Sequence, residues 1–536
     1  MVGVFSESER IRISREMMST ARRVSVIARS CASIAFWPHQ YDSIAPEART
    51  STRMTRRLRM SSSPPQREGP HPKASISPTG MSEFPASDAE SRFLHRNTPR
   101  DARPNLLYSR HHDQEGPRTM TDITTSTLAC GTVLITERLA GVRSVGLSWL
   151  IPAGSARDPD ARIGLSALHA ELILRGAADL DSHDQADAFD RLGVSRSTSV
   201  ETHATTIRAT MLGARVDDAL PLITGMVRAP RFDAEQFEPT REFCLSAVEG
   251  LADNPQERVM VLLRRHHAPP PLNRASVGTL EGLRAVTPDE IAPAWSERAA
   301  PYGSIIALAG DVDHQRIRDR FETLLDGWQG RAQSVMPTGD PSRGIHHEAD
   351  DTDQTHIALA IDAPSESEQD AWYERLLIAV MSGGMSGRLF TEIREKRSLV
   401  YSVWASYGAD RDYGRTIAYA GTTPERAGET LRVLREQFAR LATQEGAITA
   451  DELRRAKVGF KSKLVFSGES SGARAAALAT DHRKLGHARS LDELEAGIDS
   501  VTLEALNDYA ARRSLDSMTV VSIGKGDGPG GSEGAG

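Results

Sequence analysis

The sequence predicts an α+β protein made of two halves with the same order of elements. Three observations carry this. The stretch 144–151 alternates, with Val145, Leu147, Trp149 and Ile151 on one face, the two-residue period of a half-buried strand. The stretch 164–176 places Leu165, Leu168 and Leu172 at i, i+3 and i+7, which makes one apolar helix face. After a polar stretch over 338–353, the succession of strands, helix, strands and helices begins again, without a letter-by-letter repeat.

Composition narrows the function. The 536 residues are 39% hydrophobic and 26% charged, ordinary for a globular protein, and the net charge of −7 gives no reason to expect a nucleic-acid partner. Cys31, Cys130 and Cys244 are too few and too scattered for a disulfide framework or a thiolate metal site. No run of about 18 apolar residues is present, so no membrane span is expected, and a cytoplasmic location is. Residues 1–119 are rich in Arg, Ser and Pro and have no sustained apolar period. They are expected to be a disordered or spurious extension; the first 37 also have the composition of an organelle presequence, without the apolar centre of a secretory signal. The expected organisation is a first domain over 120–335, a linker over 336–353, a second domain over 354–525 and a disordered Gly-rich tail over 526–536.

In order, 130–139 and 144–151 read as strands, 164–176 and 181–192 as helices, and 200–212 as a strand. Helices follow over 216–227, 233–251 and 256–266, with a break at 267–271 (H-A-P-P-P). A short helix starts at Thr279, and T-P-D-E at 287–290 caps another. A strand over 304–309 and a helix over 314–325 close the first half. The second half reads as a strand over 355–361, helices over 368–381 and 389–396, and strands over 402–407 and 416–421. Helices over 424–443, 449–466, 471–485, 491–498 and 502–514 precede a closing strand over 520–524.

The frame G-L-x-x-x-x-x-x-L-x-x-x-G at 164–176 resembles the zinc helix of the pitrilysin/insulinase peptidases, the inverzincins. G-T-L-E at 278–281, T-P-D-E at 287–290 and A-G-D-V at 309–312 also resemble that family's first domain. G-M-S-G-R-L-F-T-E-I-R-E-K-R at 384–397 and L-V-Y-S-V at 399–403 resemble its second. The resemblance implies two related α+β domains, each an antiparallel sheet packed against helices, the fold shared by LuxS and the mitochondrial processing peptidases.

In that family the helix carries H-x-x-E-H, because i, i+3 and i+4 share a face. Two imidazoles there bind one zinc and the Glu activates its water. On this frame the three positions are Ala167, Ala170 and Glu171. The third ligand, a Glu upstream of a D-x-P turn, falls on Ala247 when counted forward from Glu171 or back from Pro255. Glu249 stands two residues on, about 200° around the helix. A zinc site needs three protein ligands and a water, so Glu171 alone cannot hold the ion and no zinc cofactor is expected in this chain.

Other histidines read as structural. His169 and Glu171 at i, i+2 diverge on a helix, so His169 is expected on the helix surface or packed. His346, His347, Glu348, Asp350, Asp351, Asp353 and His356 form a denser cluster, read as a solvated charge run in the linker. His266 and His267 read as loop, and the Gly-rich 383–388 lacks the G-K-[ST] end of a phosphate loop.

What the resemblance retains is Arg394 and Tyr401, the family's Arg followed seven residues later by a Tyr. In active relatives this pair reaches the zinc site, the Arg holding a peptide carbonyl and the Tyr hydroxyl bonding the developing oxyanion. The resemblance implies a chain that is inactive alone and pairs with a zinc-bearing family subunit, or with itself, to bind a peptide as an added strand. The alternatives are a structural or peptide-binding homologue with no proteolytic role, and an active zinc peptidase with unusual ligands.

Overall fold

The computed structural model describes residues 123–529. The reading of 1–119 as an extension lies outside the described residues, as does 530–536 of the expected tail over 526–536. The start of that tail is not disordered, because Gly526 O meets His347 Nε2 at 2.9 Å and Pro529 is buried. The first half opens with β1 (Ile123–Thr127), β2 (Val133–Arg138) and β3 (Ser144–Ile151), followed by helix α1 (Leu165–Leu172). A two-residue hairpin, β4 (Gly176–Ala177) and β5 (Leu180–Asp181), leads to α2 (Ser182–Leu192) and to β6 (Ser195–Val200) and β7 (Thr205–Leu212). Helices α3 (Val216–Arg228), α4 (Ala234–Glu249), α5 (Pro255–His267), α6 (Leu280–Ala285) and α7 (Pro288–Arg298) come next, then β8 (Ile305–Gly310) and α8 (His314–Leu324).

The second half comprises β9 (Ile345–Ala349), β10 (Thr355–Ala363), α9 (Asp370–Ser382), a π-helical turn (Phe390–Glu395), β11 (Val400–Ala409) and β12 (Gly414–Thr422). It closes with α10 (Ala427–Arg440), α11 (Ala450–Gly468), α12 (Ser471–Leu485), α13 (Leu491–Ser500), α14 (Leu503–Arg512) and β13 (Thr519–Gly524).

The fold is α+β, as expected. Its sheets run in the orders β1-β2-β8-β3-β7-β6 and β11-β12-β10-β13-β9. Neighbours are antiparallel except β2 with β8 and β9 with β13, so each of these two sheets contains one parallel pair, while β4 and β5 form a separate antiparallel pair. Two readings need correction. The stretch 336–353 is not only a linker, because Ile345–Ala349 is an edge strand beside β13. The stretch 200–212 is a hairpin tip and strand, with the separate strand Ser195–Val200 before it.

The face predicted from 144–151 is core: Val145, Leu147, Trp149 and Ile151 pack with Ile223, Met226 and Phe321. The second half buries Leu359, Leu377, Met381 and Phe438 in an equivalent core. Each sheet's other face is covered by a helix from the opposite half. Val259 and Leu263 of α5 pack on Ala358, Tyr419 and Val521, while Ala475, Leu478 and Ala479 of α12 pack on Ile135, Leu150 and Ala307. Gly146 is small for this reason: a Cβ there would lie 2.4 Å from the backbone of Gly472 in α12. A buried ion pair, Glu137 with Arg474, ties α12 to β2. Among the described residues no helix is long and apolar enough to cross a membrane.

Candidate functional site

The zinc-type helix is anchored from below. Its N-terminal N–H groups need acceptors, and Asp158, 1% exposed, supplies them. Its carboxylate accepts from Gly164 N at 2.9 Å, Ser166 N at 3.0 Å and Ser166 Oγ at 2.6 Å, and from Arg298 Nη1 at 2.9 Å. Burial raises the Asp158 pKa, opposed by Ser166 and Arg298. Asp160, two residues on, does not join this network and pairs with Arg274 at 2.6 Å. Gly164 holds φ 118°, and a Cβ there would lie 2.7 Å from Leu283 Cδ2, so glycine is required on two counts.

Helix α4 packs against α1, so the third ligand position comes from the neighbouring helix. The contact is apolar: Leu165, Leu168 and Leu172 meet Phe237, Cys244 and Leu245, with Ala167 against the same cluster. Ala170 is buried, and Ala167 and Ala247 are half-buried. Glu171 is half-buried with no hydrogen bond or ion pair among the described residues. Burial raises its pKa, opposed by Arg175. Burial, with Glu171 nearby, pushes the Cys244 thiol up to about 12, so it is a protonated packing group. Glu249 is exposed and turned toward Arg284 at 3.7 Å. Among the described residues no three His, Cys, Asp or Glu side chains are placed to hold a metal ion. One carboxylate amid methyl groups does not fit zinc, and no hydrolytic step can be routed through it.

His169 is packed, not on the surface. It is 0% exposed between Phe232 and Trp295, and Nε2–H donates to Ile291 O at 2.9 Å, which fixes the tautomer. Burial pulls its pKa to about 3, so it is neutral. The His/Asp/Glu run over 346–356 separates into ion pairs and hydrogen bonds. Arg258 takes Glu348 and Asp350, His347 meets Ser522 at 2.9 Å and His356 meets Tyr419 at 2.8 Å. His266 and His267 are the helical end of α5, not loop. The Gly-rich 383–388 ends in Arg388, bidentate to Glu452 at 2.7 and 2.8 Å.

Arg394 and Tyr401 lie in the second half, at the surface. Arg394 is exposed in the π-helical turn, its guanidinium 5.0 Å from the Phe390 ring. Tyr401 is 60% exposed at a β-bulge: Val400 pairs with Thr422 and Ser402 with Gly421, leaving Tyr401 as the extra residue. Neither has a bond to Ala167, Ala170, Glu171 or Ala247 among the described residues. The strand ladder and the π-turn explain why both side chains stand clear of the core.

Comparison with known proteins agrees with this architecture. The model described as "Insulinase (Peptidase family M16)" matches residues 133–274, and that described as "Peptidase M16 inactive domain" matches 286–459, together more than half of the chain. The chain belongs to the insulinase (M16) peptidase family. An uncharacterized zinc protease of Mycobacterium leprae is 28% identical over 395 residues, covering 72% of this chain and 88% of that protein. One from Bacillus subtilis is 24% identical over 402 residues, covering 73% and 96%. A crystal structure of a peptidase M16 inactive domain from Pseudomonas fluorescens superposes with TM-score 0.69 at 22% identity, covering 76% of this chain and 98% of that one. A chain of complex III2 from Candida albicans with Inz-5 bound gives 0.65 at 17%, covering 75% and 96%.

Proposed function

We infer that this family member is a non-catalytic subunit that pairs with a zinc-bearing relative and presents Arg394 and Tyr401 to a bound peptide. The observation that carries the reading is the contrast in donors. Positions 167, 170 and 247 are alanine, Ala167 in the apolar contact of α1 with α4, while Arg394 and Tyr401 are exposed with no side-chain hydrogen bond among the described residues. An exposed guanidinium and phenol on a fixed turn and bulge are positioned to bond a carbonyl and an oxyanion brought by another chain. Among the described residues strands β6 and β11 are unpaired on one side, and β6 runs beside α1, so a peptide can add there as a strand. The setting is cytoplasmic in this proposal.

The test is reconstitution of the full chain with a zinc-bearing family subunit. The two co-purify, and Arg394→Ala or Tyr401→Phe lowers peptidase activity of the pair without changing its assembly. If Arg394→Ala leaves that activity untouched, the assigned role is wrong. A second reading, a structural subunit with no proteolytic role, draws support from the likeness to a chain of complex III2. It predicts assembly with a partner and no activity in the complex. Activity of the isolated, zinc-loaded chain would instead favour unusual ligands, as the names of the zinc-protease relatives suggest.

A further inference from the structure

The tips of two hairpins meet where the halves join. The β6–β7 tip carries Glu201 and His203, and the β11–β12 tip carries Asp410, Asp412 and Tyr413. His203 Nε2 lies 3.8 Å from Asp410 Oδ2 and 3.5 Å from the Tyr413 hydroxyl. Arg483 of α12 binds Asp410 bidentately at 2.9 and 3.1 Å, and Arg208 reaches Glu201 at 3.5 Å. These carboxylates are therefore already taken.

Two further arginines come to the same place. Arg264 lies on α5, one residue beyond Leu263, which packs on the second sheet. Arg415 lies on β12, two residues before Ile417 on the face that α5 covers. Tyr413 packs beside Ala268, one helical turn from Arg264. Both arginines are half-buried. Neither has a carboxylate within 4.0 Å or a side-chain hydrogen bond among the described residues, and Arg264 Nε is buried with nothing to donate to. The remaining guanidinium nitrogens keep contact with solvent-reached space. The two cations repel, and burial with its neighbour lowers the pKa of Arg264. The cluster counts four guanidinium groups, Arg208, Arg264, Arg415 and Arg483, against Glu201, Asp410 and Asp412. The nearby carboxylates Glu201 and Asp410 act on these arginines only at a distance, and half-buried guanidinium groups with no direct ion pair are costly unless an anion reaches them.

We propose that Arg264 and Arg415 together form a binding site for an oxyanion, a carboxylate or a phosphate. Two guanidinium forks and the Tyr413 hydroxyl supply donors matched to a two- or three-oxygen face. The site is at the opposite end of the β11–β12 hairpin from Tyr401, since Ala409 pairs with Gly414 and Val400 with Thr422. It is independent of the peptide-binding reading.

The test is thermal melting of the full chain in sodium phosphate and in sodium acetate, each against sodium chloride at equal ionic strength. At least one oxyanion raises Tm saturably beyond chloride, and the response weakens by about tenfold or more in Arg264→Gln and Arg415→Gln. It persists in Arg432→Gln, which removes only a surface helix pair. Without oxyanion, Arg415→Gln melts no lower than wild type, because it removes an unpaired cation. Phosphate acting alone assigns a phosphate site, and acetate acting alone a carboxylate site. No response beyond chloride, an equal response in both Arg variants, or an oxyanion-free Arg415→Gln that melts well below wild type would overturn the proposal.

Discussion

Helices α1 and α9 hold corresponding places, each following the strand at the centre of its sheet, and their polar residues differ in kind. On α9, Glu374 is 0% exposed and saturated: Thr416 donates to it, Tyr509 Oη lies at 2.7 Å and Arg513 binds bidentately at 2.8 and 2.9 Å. On α1 the three positions of the zinc frame are Ala167, Ala170 and Glu171, and Glu171 is half-buried with no side-chain hydrogen bond or ion pair among the described residues, Arg175 acting on it only at a distance. A polar group is kept inside this protein where the fold brings it partners, and among the described residues no group of three metal-ligating side chains includes Glu171. Arg394 and Tyr401, by contrast, are exposed on the surface of the second half.

The comparison can be broken most directly by restoring what α1 lacks. Ala167→His, Ala170→Glu, Glu171→His and Ala247→Glu together are expected to give a chain that retains one zinc per molecule after dialysis, by metal analysis. Failure to bind would show that α1 and α4 no longer present one face. Next in size, Glu374→Ala leaves Arg513 buried without its carboxylate and is expected to destabilise by about 3–5 kcal/mol in urea unfolding. A loss below about 1 kcal/mol would mean that the α9 network is not what holds that half.

His169 sharpens the contrast through pH. Its folded pKa, about 3, lies below its ordinary 6.5, so below 6.5 the unfolded chain takes up a proton that the folded chain does not. The stability is full above pH 6.5 and is lost as pH falls toward 3, by about 1.4 kcal/mol per pH unit. His169→Leu is expected to flatten that slope between pH 6 and 4 in paired denaturation curves; an unchanged slope would place the acid sensitivity elsewhere. The smallest effect belongs to the surface pair: Arg394→Ala and Tyr401→Phe should each shift unfolding by less than about 0.5 kcal/mol. A larger shift would make them structural.

The sequence carried those parts of the fold that depend on local pattern. The apolar face of Ser144–Ile151 and the capping box of Thr287 with Glu290 appear where the residues indicate. The edge strand β11 was legible in part over 402–407, whereas two others were not. Ser195–Val200 has no apolar alternation, and Ile345–Ala349 is a strand only because β13 pairs with it in parallel. The emptied zinc frame was readable because H-x-x-E-H is a fixed local spacing. Asp158 with Arg298, and Arg264 beside Arg415, were not, because each pair joins segments more than a hundred residues apart in the chain. The packing of His169 likewise depends on Phe232 and Trp295.

In the proposed reading, side chains of one carbon at 167, 170 and 247 leave this polypeptide without zinc chemistry of its own. The direct measurement is zinc content and peptide cleavage by the purified full chain alone, after incubation with zinc and removal of the excess. The account predicts substoichiometric metal and no cleavage. One tightly held zinc per chain together with peptide hydrolysis would contradict it.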